Sequence, residues 1–331
     1  MYMVKGNMEK IKWIFLCMFM VGALMVVGTV PAGCGQEATS SPGSDTASET
    51  SREGDETGAA MPAGSFSAQG SDTMVNMGQN LAEVYMDNVN PDAAMAVTGG
   101  GSGTGIAALI NDNVDIAQSS RTMKEDEIAE AEANDVEVYE FIVAQDGLAI
   151  YVNEENPLTE LDVVQLKDIL TGAVTDWREV GWDDGGGIDV FSRQSNSGTY
   201  VYINENIMHE EDWAPGTRFQ PGSSQVVEGV KADRGGIGYS GIGYLTAGVK
   251  ALHIARVGEE AVSPREAAHI SDGSYPIARP LFFYTNGFPE GVIRHYLEWV
   301  LSEEGQEAVI DSGFYGIHDE YREKNEATFG K

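Results

Sequence analysis

Apolar positions from residue 66 onward alternate between two rhythms. Met74, Met77, Leu81, Val84 and Tyr85 recur at helical spacing and predict a helix over 73–88. Residues 66–71 read as a short strand ending in a turn, and the apolar run 94–97 as a second strand leading into glycines and a helix over 106–111. The pattern continues with a strand at 114–117, a charged helix over 124–134 and a strand at 136–143. Strand–helix–strand repetition of this kind implies a largely parallel sheet, whose ligands sit beyond the carboxyl ends of the strands. The long apolar run 146–152 reads as a crossing into a second domain. There the pattern predicts a helix over 161–170, a turn at 175–177, a strand at 188–191 that delivers Arg193, and helices over 199–208 and from 226. The glycine-softened run 235–244 reads as the strand returning to the first domain. A strand over 275–285 and a helix over 292–301 follow, and Ser302 opens the last helix. Trp177 and Trp182 read as packing residues, and no internal repeat stands out.

The amino terminus is organised differently. Lys5, Lys10 and Lys12 precede an apolar run over 13–27 that is short for a membrane span. Small residues then lead to Pro31-Ala32-Gly33-Cys34. This resembles a bacterial lipoprotein signal, with residues 1–33 removed and Cys34 lipidated, although Pro31 stands where a leucine-like residue is usual. The alternative is an ordinary secretory signal that leaves Cys34 as a free thiol. Cys17 lies inside the apolar run, so the mature chain is expected to have no disulfide. Residues 34–64 are rich in Ser, Thr, Gly and acidic residues and read as a flexible tether. The 331 residues suffice for two domains, and 42% hydrophobic content supplies a normal core. A formal net charge of −32 argues against nucleic-acid binding, which needs a basic footprint.

Three stretches carry candidate chemistry. Gly99 to Gly105, with Ser102 and Thr104, is a glycine-rich turn at a helix start. Glycines let the backbone approach a ligand, and amides at a helix start point outward, which suits an anion. The plainer reading is a helix start capped by Ser or Thr. A second such stretch is Arg193-Gln194-Ser195-Asn196-Ser197-Gly198-Thr199, and a third is Gly70-Ser71-Asp72-Thr73. Together they suggest an oxyanion held by neutral donors and one guanidinium, whose fork makes paired hydrogen bonds. The plainer role for Arg193 is a surface or interlobe salt bridge. Neither Ser102 nor Ser197 sits in Gly-x-Ser-x-Gly, and the five histidines show no tie to them, which speaks against a serine hydrolase. No Gly-Lys-Ser/Thr follows the glycines, which removes a P-loop. His and Cys spacing supports no metal, and no cofactor is implied.

With Asp115-Ile116-Ala117, Ser119-Ser120-Arg121 and Gly236-Ile237-Gly238-Tyr239, these stretches resemble, in order and spacing over residues 66–325, the phosphate-binding proteins that feed ABC importers. The resemblance implies the type II periplasmic-binding-protein fold: two α/β lobes, each a mixed sheet flanked by helices, with the ligand in the cleft between them. Lobe 1 is expected at 66–147 and 245–331 and lobe 2 at 148–244, with hinges near 146–149 and 240–244. It further implies an extracytoplasmic receptor, anchored by lipid, that binds inorganic phosphate as a monomer and docks on ABC permease transmembrane subunits. Carried over, the phosphate ligands are Ser102, Arg193, Ser197, Gly198 and Thr199, with Ser71, Asp72 and Thr73 contributing from the first loop. One departure matters. Many members carry an aspartate where Ser120 stands, to accept the proton of hydrogen phosphate and repel sulfate. Here that acceptor is expected to be Asp72 or the Ser120 hydroxyl, while a helix cap is the alternative role for Asp72. Arg121 is either a second anion contact or the partner of a carboxylate. Other readings are a receptor for sulfate, molybdate or a phosphonate, and a domain that presents phosphate to a sensor.

Overall fold

A computed structural model describes residues 61–330. The leader, Cys17, Cys34 and the tether up to residue 60 lie outside them. In chain order the strands and helices are β1 (Gly64–Gly70), α1 (Val75–Val84), β2 (Ala93–Thr98), α2 (Ser102–Ile110), β3 (Ile116–Ser119), α3 (Glu125–Ala133) and β4 (Val138–Gly147). Then come β5 (Ala149–Asn153), β6 (Glu160–Asp162), α4 (Val163–Thr171), β7 (Asp189–Arg193), α5 (Gly198–Asn206), β8 (Arg218–Gln220), α6 (Ser223–Ala232) and β9 (Gly236–Ser240). The remainder is β10 (Val249–Ala251), β11 (His253–Ala255), α7 (Ala267–Ser271), β12 (Ala278–Asn286), α8 (Gly291–Val300), α9 (Glu303–Asp311) and α10 (Asp319–Thr328). No described helix is long and apolar enough to cross a membrane.

Two five-stranded mixed sheets, ordered β2-β1-β3-β12-β4 and β10-β5-β9-β7-β8, form the two lobes. In the first, β1 runs parallel to β2 and β3, and β12 is antiparallel to β3 and β4. Both faces are buried, so neighbouring residues of one strand enter different cores. Phe141, Val143 and Phe283 pack with Met77, Leu81 and Trp299, whereas Ile142, Phe282 and Tyr284 pack with Ile106 and Leu109. In the second sheet Ile150 and Val152 face the Trp177 core, and Ala149 and Tyr151 face Val226 and Val230. Both tryptophans are core residues, as the sequence implied.

The first crossing falls at 147–149, where β4 ends in one sheet and β5 begins in the other. The second differs from expectation. β9 does not return to the first lobe but lies between β5 and β7. Residues 249–277 also stay with the second lobe: β10 pairs with β5, and Leu252, Ile254, Ile270, Tyr275 and Ile277 enter the Trp177 core. The chain recrosses at 277–278, alongside the first crossing. Ala278 is paired with Gly147, and the Leu148 amide donates to the Ile277 carbonyl at 3.2 Å. The expected hinge at 240–244 is instead an interlobe contact, where the Ile242 amide donates to Asp146. α9 is not the last helix, because α10 follows and docks on β4.

Candidate functional site

Three loops at carboxyl ends of strands meet at the seam between the lobes. Ser71, Asp72 and Thr73 follow β1, Ser120 follows β3, and Arg193 to Thr199 connect β7 to α5. The glycine run does more than lead into α2. The helix starts at Ser102, four residues before the expected Ile106, and the run supplies its first turn. Gly101 has φ +92°, and an added Cβ would stand 2.7 Å from the Asn196 carbonyl oxygen of the other lobe. Only glycine serves there. No side chain caps α2. The Ser102 hydroxyl accepts the Ser120 amide at 3.1 Å and lies 3.3 Å from Ser120 Oγ.

Ser71 Oγ donates to Ser120 Oγ at 2.9 Å. Ser71, Ser102 and Ser120 are all buried. α5 begins at Gly198, and Ser197 Oγ caps it by accepting the Thr199 and Tyr200 amides. Gly198 reaches across to this hydroxyl cluster: a Cβ on it would lie 2.4 Å from Ser102 Oγ and 2.8 Å from Ser120 Oγ. Thr73 Oγ1 meets Thr199 Oγ1 at 2.7 Å. Outside this cluster, Gly103 donates its amide to the Asn196 carbonyl, and Asn196 Nδ2 donates to the Gly100 carbonyl at 2.7 Å. The two lobes are shut on each other, and all nine anion-site residues expected from the sequence stand at the seam.

Two arginine–aspartate pairs flank the hydroxyls. Arg193 Nη2 donates to Asp72 Oδ2 at 2.8 Å, with the side chains 1% and 21% exposed. Its Nη1 donates to Ser223 Oγ, and Nη2 also to the Pro221 carbonyl, while buried Nε has no partner. Burial pushes the Arg193 guanidinium below its ordinary value, and Asp72 opposes that shift. Asp72 is no helix cap, since α1 has no side-chain cap. Its Oδ1 accepts the Gly100 amide at 3.1 Å, so both carboxylate oxygens are engaged. The salt bridge taken as the plainer role of Arg193 is present and joins the lobes. Tyr244, whose phenol is pushed up to about 12 by burial, ties the same place by donating to the Asp72 carbonyl.

The second pair was not foreseen. Arg279 of β12 and Asp146 of β4 meet at 3.0 Å, 2% and 0% exposed, at the two crossings. A charged residue inside the apolar run 275–285 was the available signal. Arg121 is held by two hydrogen bonds, of 2.7 and 2.6 Å, to Glu127 of α3, the carboxylate-partner reading. Each of these three guanidiniums thus has its own carboxylate. Hydroxyls, the starts of α2 and α5 and the remaining guanidinium donors are what the site has to meet an anion.

Known proteins share this layout. A family model described as a PBP superfamily domain matches residues 38–304, which include every residue of the seam described above. The phosphate-binding protein PstS of Pseudomonas aeruginosa is 32% identical over 277 residues, covering 79% of this chain and 85% of that one. PstS of Staphylococcus haemolyticus is 30% identical over 259 residues, covering 76% and 80%. A Clostridium perfringens structure solved with bound phosphate, described as a phosphate ABC transporter substrate-binding protein, superposes with a TM-score of 0.68 at 26% identity, covering 77% of this chain and 100% of that one. Identity at this level across most of both chains, with the same two-lobed frame, means that the chain belongs to the PstS family of phosphate-binding proteins within the PBP superfamily.

Proposed function

We propose that this protein is an extracytoplasmic phosphate receptor that closes two lobes on inorganic phosphate and delivers it to the transmembrane subunits of an ABC importer. The observation that carries the reading is the cluster of buried donors that both lobes contribute to one seam. Ser71, Thr73, Ser102 and Ser120 come from one lobe, and Arg193, Ser197, Gly198 and Thr199 from the other. A tetrahedral oxyanion needs donors on all sides, and two facing helix starts with hydroxyls and a guanidinium supply them. The side-by-side crossings at 147–149 and 277–278 form the hinge, and closure buries the anion away from water. Asp72 serves Arg193 as counter-charge, which leaves the Ser120 hydroxyl to accept the proton of hydrogen phosphate. Ser197 contributes through the helix start it caps. The buried serines engage one another and backbone amides, and we read them as binding donors. The mature protein is a monomeric lipoprotein held to the membrane through Cys34.

A serine in place of a carboxylate at position 120 favours a second reading, a receptor for sulfate or another tetrahedral oxyanion. Calorimetric titration of the mature chain lacking residues 1–34, with phosphate and then with sulfate, decides between them. Tight phosphate binding with no sulfate heat is expected. Sulfate binding of equal strength moves the assignment to the second reading.

A further inference from the structure

Arg279 is the most heavily engaged side chain at the seam, and no site motif contains it. Its Nε and Nη2 donate to Asp146 Oδ2 at 3.3 and 3.0 Å. Nη1 donates to the Ser120 carbonyl at 2.9 Å, and Nη2 donates to Thr199 Oγ1 at 3.0 Å. The Tyr202 ring lies 5.3 Å from its Cζ. Every nitrogen therefore already has a protein acceptor, unlike Arg193, whose Nε has none. A guanidinium so occupied stands behind the donors rather than among them.

The contact with Thr199 has a direction. Arginine only donates, so Thr199 Oγ1 must accept from it, and the hydroxyl proton cannot point back at Arg279. That proton is left for the cleft side, where Thr73 Oγ1 lies at 2.7 Å. We propose that Arg279, fixed by Asp146, is a positioning residue that turns the Thr199 hydroxyl into an obligatory donor to the bound anion. The inference rests on the phosphate-receptor reading. A hydroxyl polarised by a cation on its oxygen is a stronger donor, and its orientation is set before the anion arrives. The bond to the Ser120 carbonyl and the ion pair with Asp146 anchor Arg279 on the first lobe, while it reaches Thr199 on the second.

The test is a double-mutant cycle in the full mature chain, with phosphate affinity read by calorimetry and folding by thermal unfolding. Thr199→Val and Arg279→Lys are each expected to weaken phosphate binding by about tenfold to a hundredfold, the worth of one hydrogen bond to a charged group. In the Thr199→Val background, Arg279→Lys should cost no more than about threefold further, because the hydroxyl it orients is gone. Independent, multiplying losses overturn the proposal, since a merely structural Arg279 costs the same in either background. A crystal structure of the wild-type chain with phosphate stands beside the cycle should Arg279→Lys not fold. Thr199 Oγ1 is expected within hydrogen-bond distance of both Arg279 Nη2 and a phosphate oxygen. An Arg279 nitrogen on the phosphate itself, or Thr199 turned away, overturns it. A wild-type chain that gives no phosphate heat removes the receptor reading and this inference together, whereas multiplying losses remove this inference alone.

Discussion

Gly198→Ala isolates the seam from the rest of the fold. The residue opens α5 at a conformation open to any L-residue, so an alanine there is locally harmless and changes the stability of the lobe by no more than about 1 kcal/mol. Across the cleft the same methyl meets Ser102 Oγ at 2.4 Å and Ser120 Oγ at 2.8 Å, closer than carbon and oxygen can approach. Closing the lobes then requires both hydroxyls to rotate away or the second lobe to stand back. Overpacking of this size costs about 1–3 kcal/mol. Each hydroxyl turned off a charged ligand costs about 1.5–3 kcal/mol more. With both hydroxyls displaced the total is at least about 4 kcal/mol, and at roughly 1.4 kcal/mol per factor of ten phosphate affinity falls by about five-hundredfold or more. Titration calorimetry gives the affinity, and unfolding without ligand gives the control. A variant that binds phosphate within threefold of wild type would refute the placement of Gly198 against the two serines as the closed, ligand-holding geometry.

Asp72→Asn leaves the 1%-exposed Arg193 without its counter-charge and should lower stability without ligand by about 2 kcal/mol. The deficit should narrow when phosphate supplies the missing charge, and the phosphate-to-sulfate preference should stay within threefold. A tenfold change in that preference, measured by paired titrations, returns the proton-accepting role to Asp72. Arg121→Ala breaks the paired bonds to Glu127 and should cost about 1.5–3 kcal/mol in denaturant unfolding, with phosphate affinity unchanged. A tenfold loss of affinity makes Arg121 an anion contact. Burial raises the phenols of Tyr151, Tyr239, Tyr275, Tyr284 and Tyr296 above their ordinary value. The unfolded chain therefore releases these protons first. Their contribution is fully present below about pH 10 and is lost as pH rises toward the folded values. Melting temperature should hold to about pH 10 and then fall steeply, and a value that holds to pH 12 contradicts the burial of these rings.

What the sequence showed and what it hid both have physical grounds. The site was legible because its residues lie in contiguous runs at strand ends, where glycine and hydroxyl content is conspicuous. The boundary of the second lobe was not, because β6, β10 and β11 have three residues each, too few for alternation to register. α10 was missed for another reason. Its fully buried residue is Asn325, which accepts the Ile142 amide and donates to the Ile142 carbonyl, and Tyr321 alone within the helix packs on the Ile142 core, so no apolar stripe marks it. It also covers β4, the edge strand of its sheet. The Asp72–Arg193 pair joins residues 121 positions apart, and no spacing rule brings them together.

That each buried guanidinium at the seam already has its own carboxylate bears on the rate of capture. The chain carries a formal charge of −32, and the compensated site makes no positive funnel to offset it. A phosphate ion approaching from solution is repelled until it is within reach of the hydroxyls. Salt screens that repulsion over about 10 Å at 0.1 M, so the association rate constant rises with ionic strength, opposite to electrostatically steered binders. Dissociation is governed by contacts far shorter than the screening length and changes little. Saltier surroundings therefore make this protein a faster collector, and its affinity rises in step with the association rate.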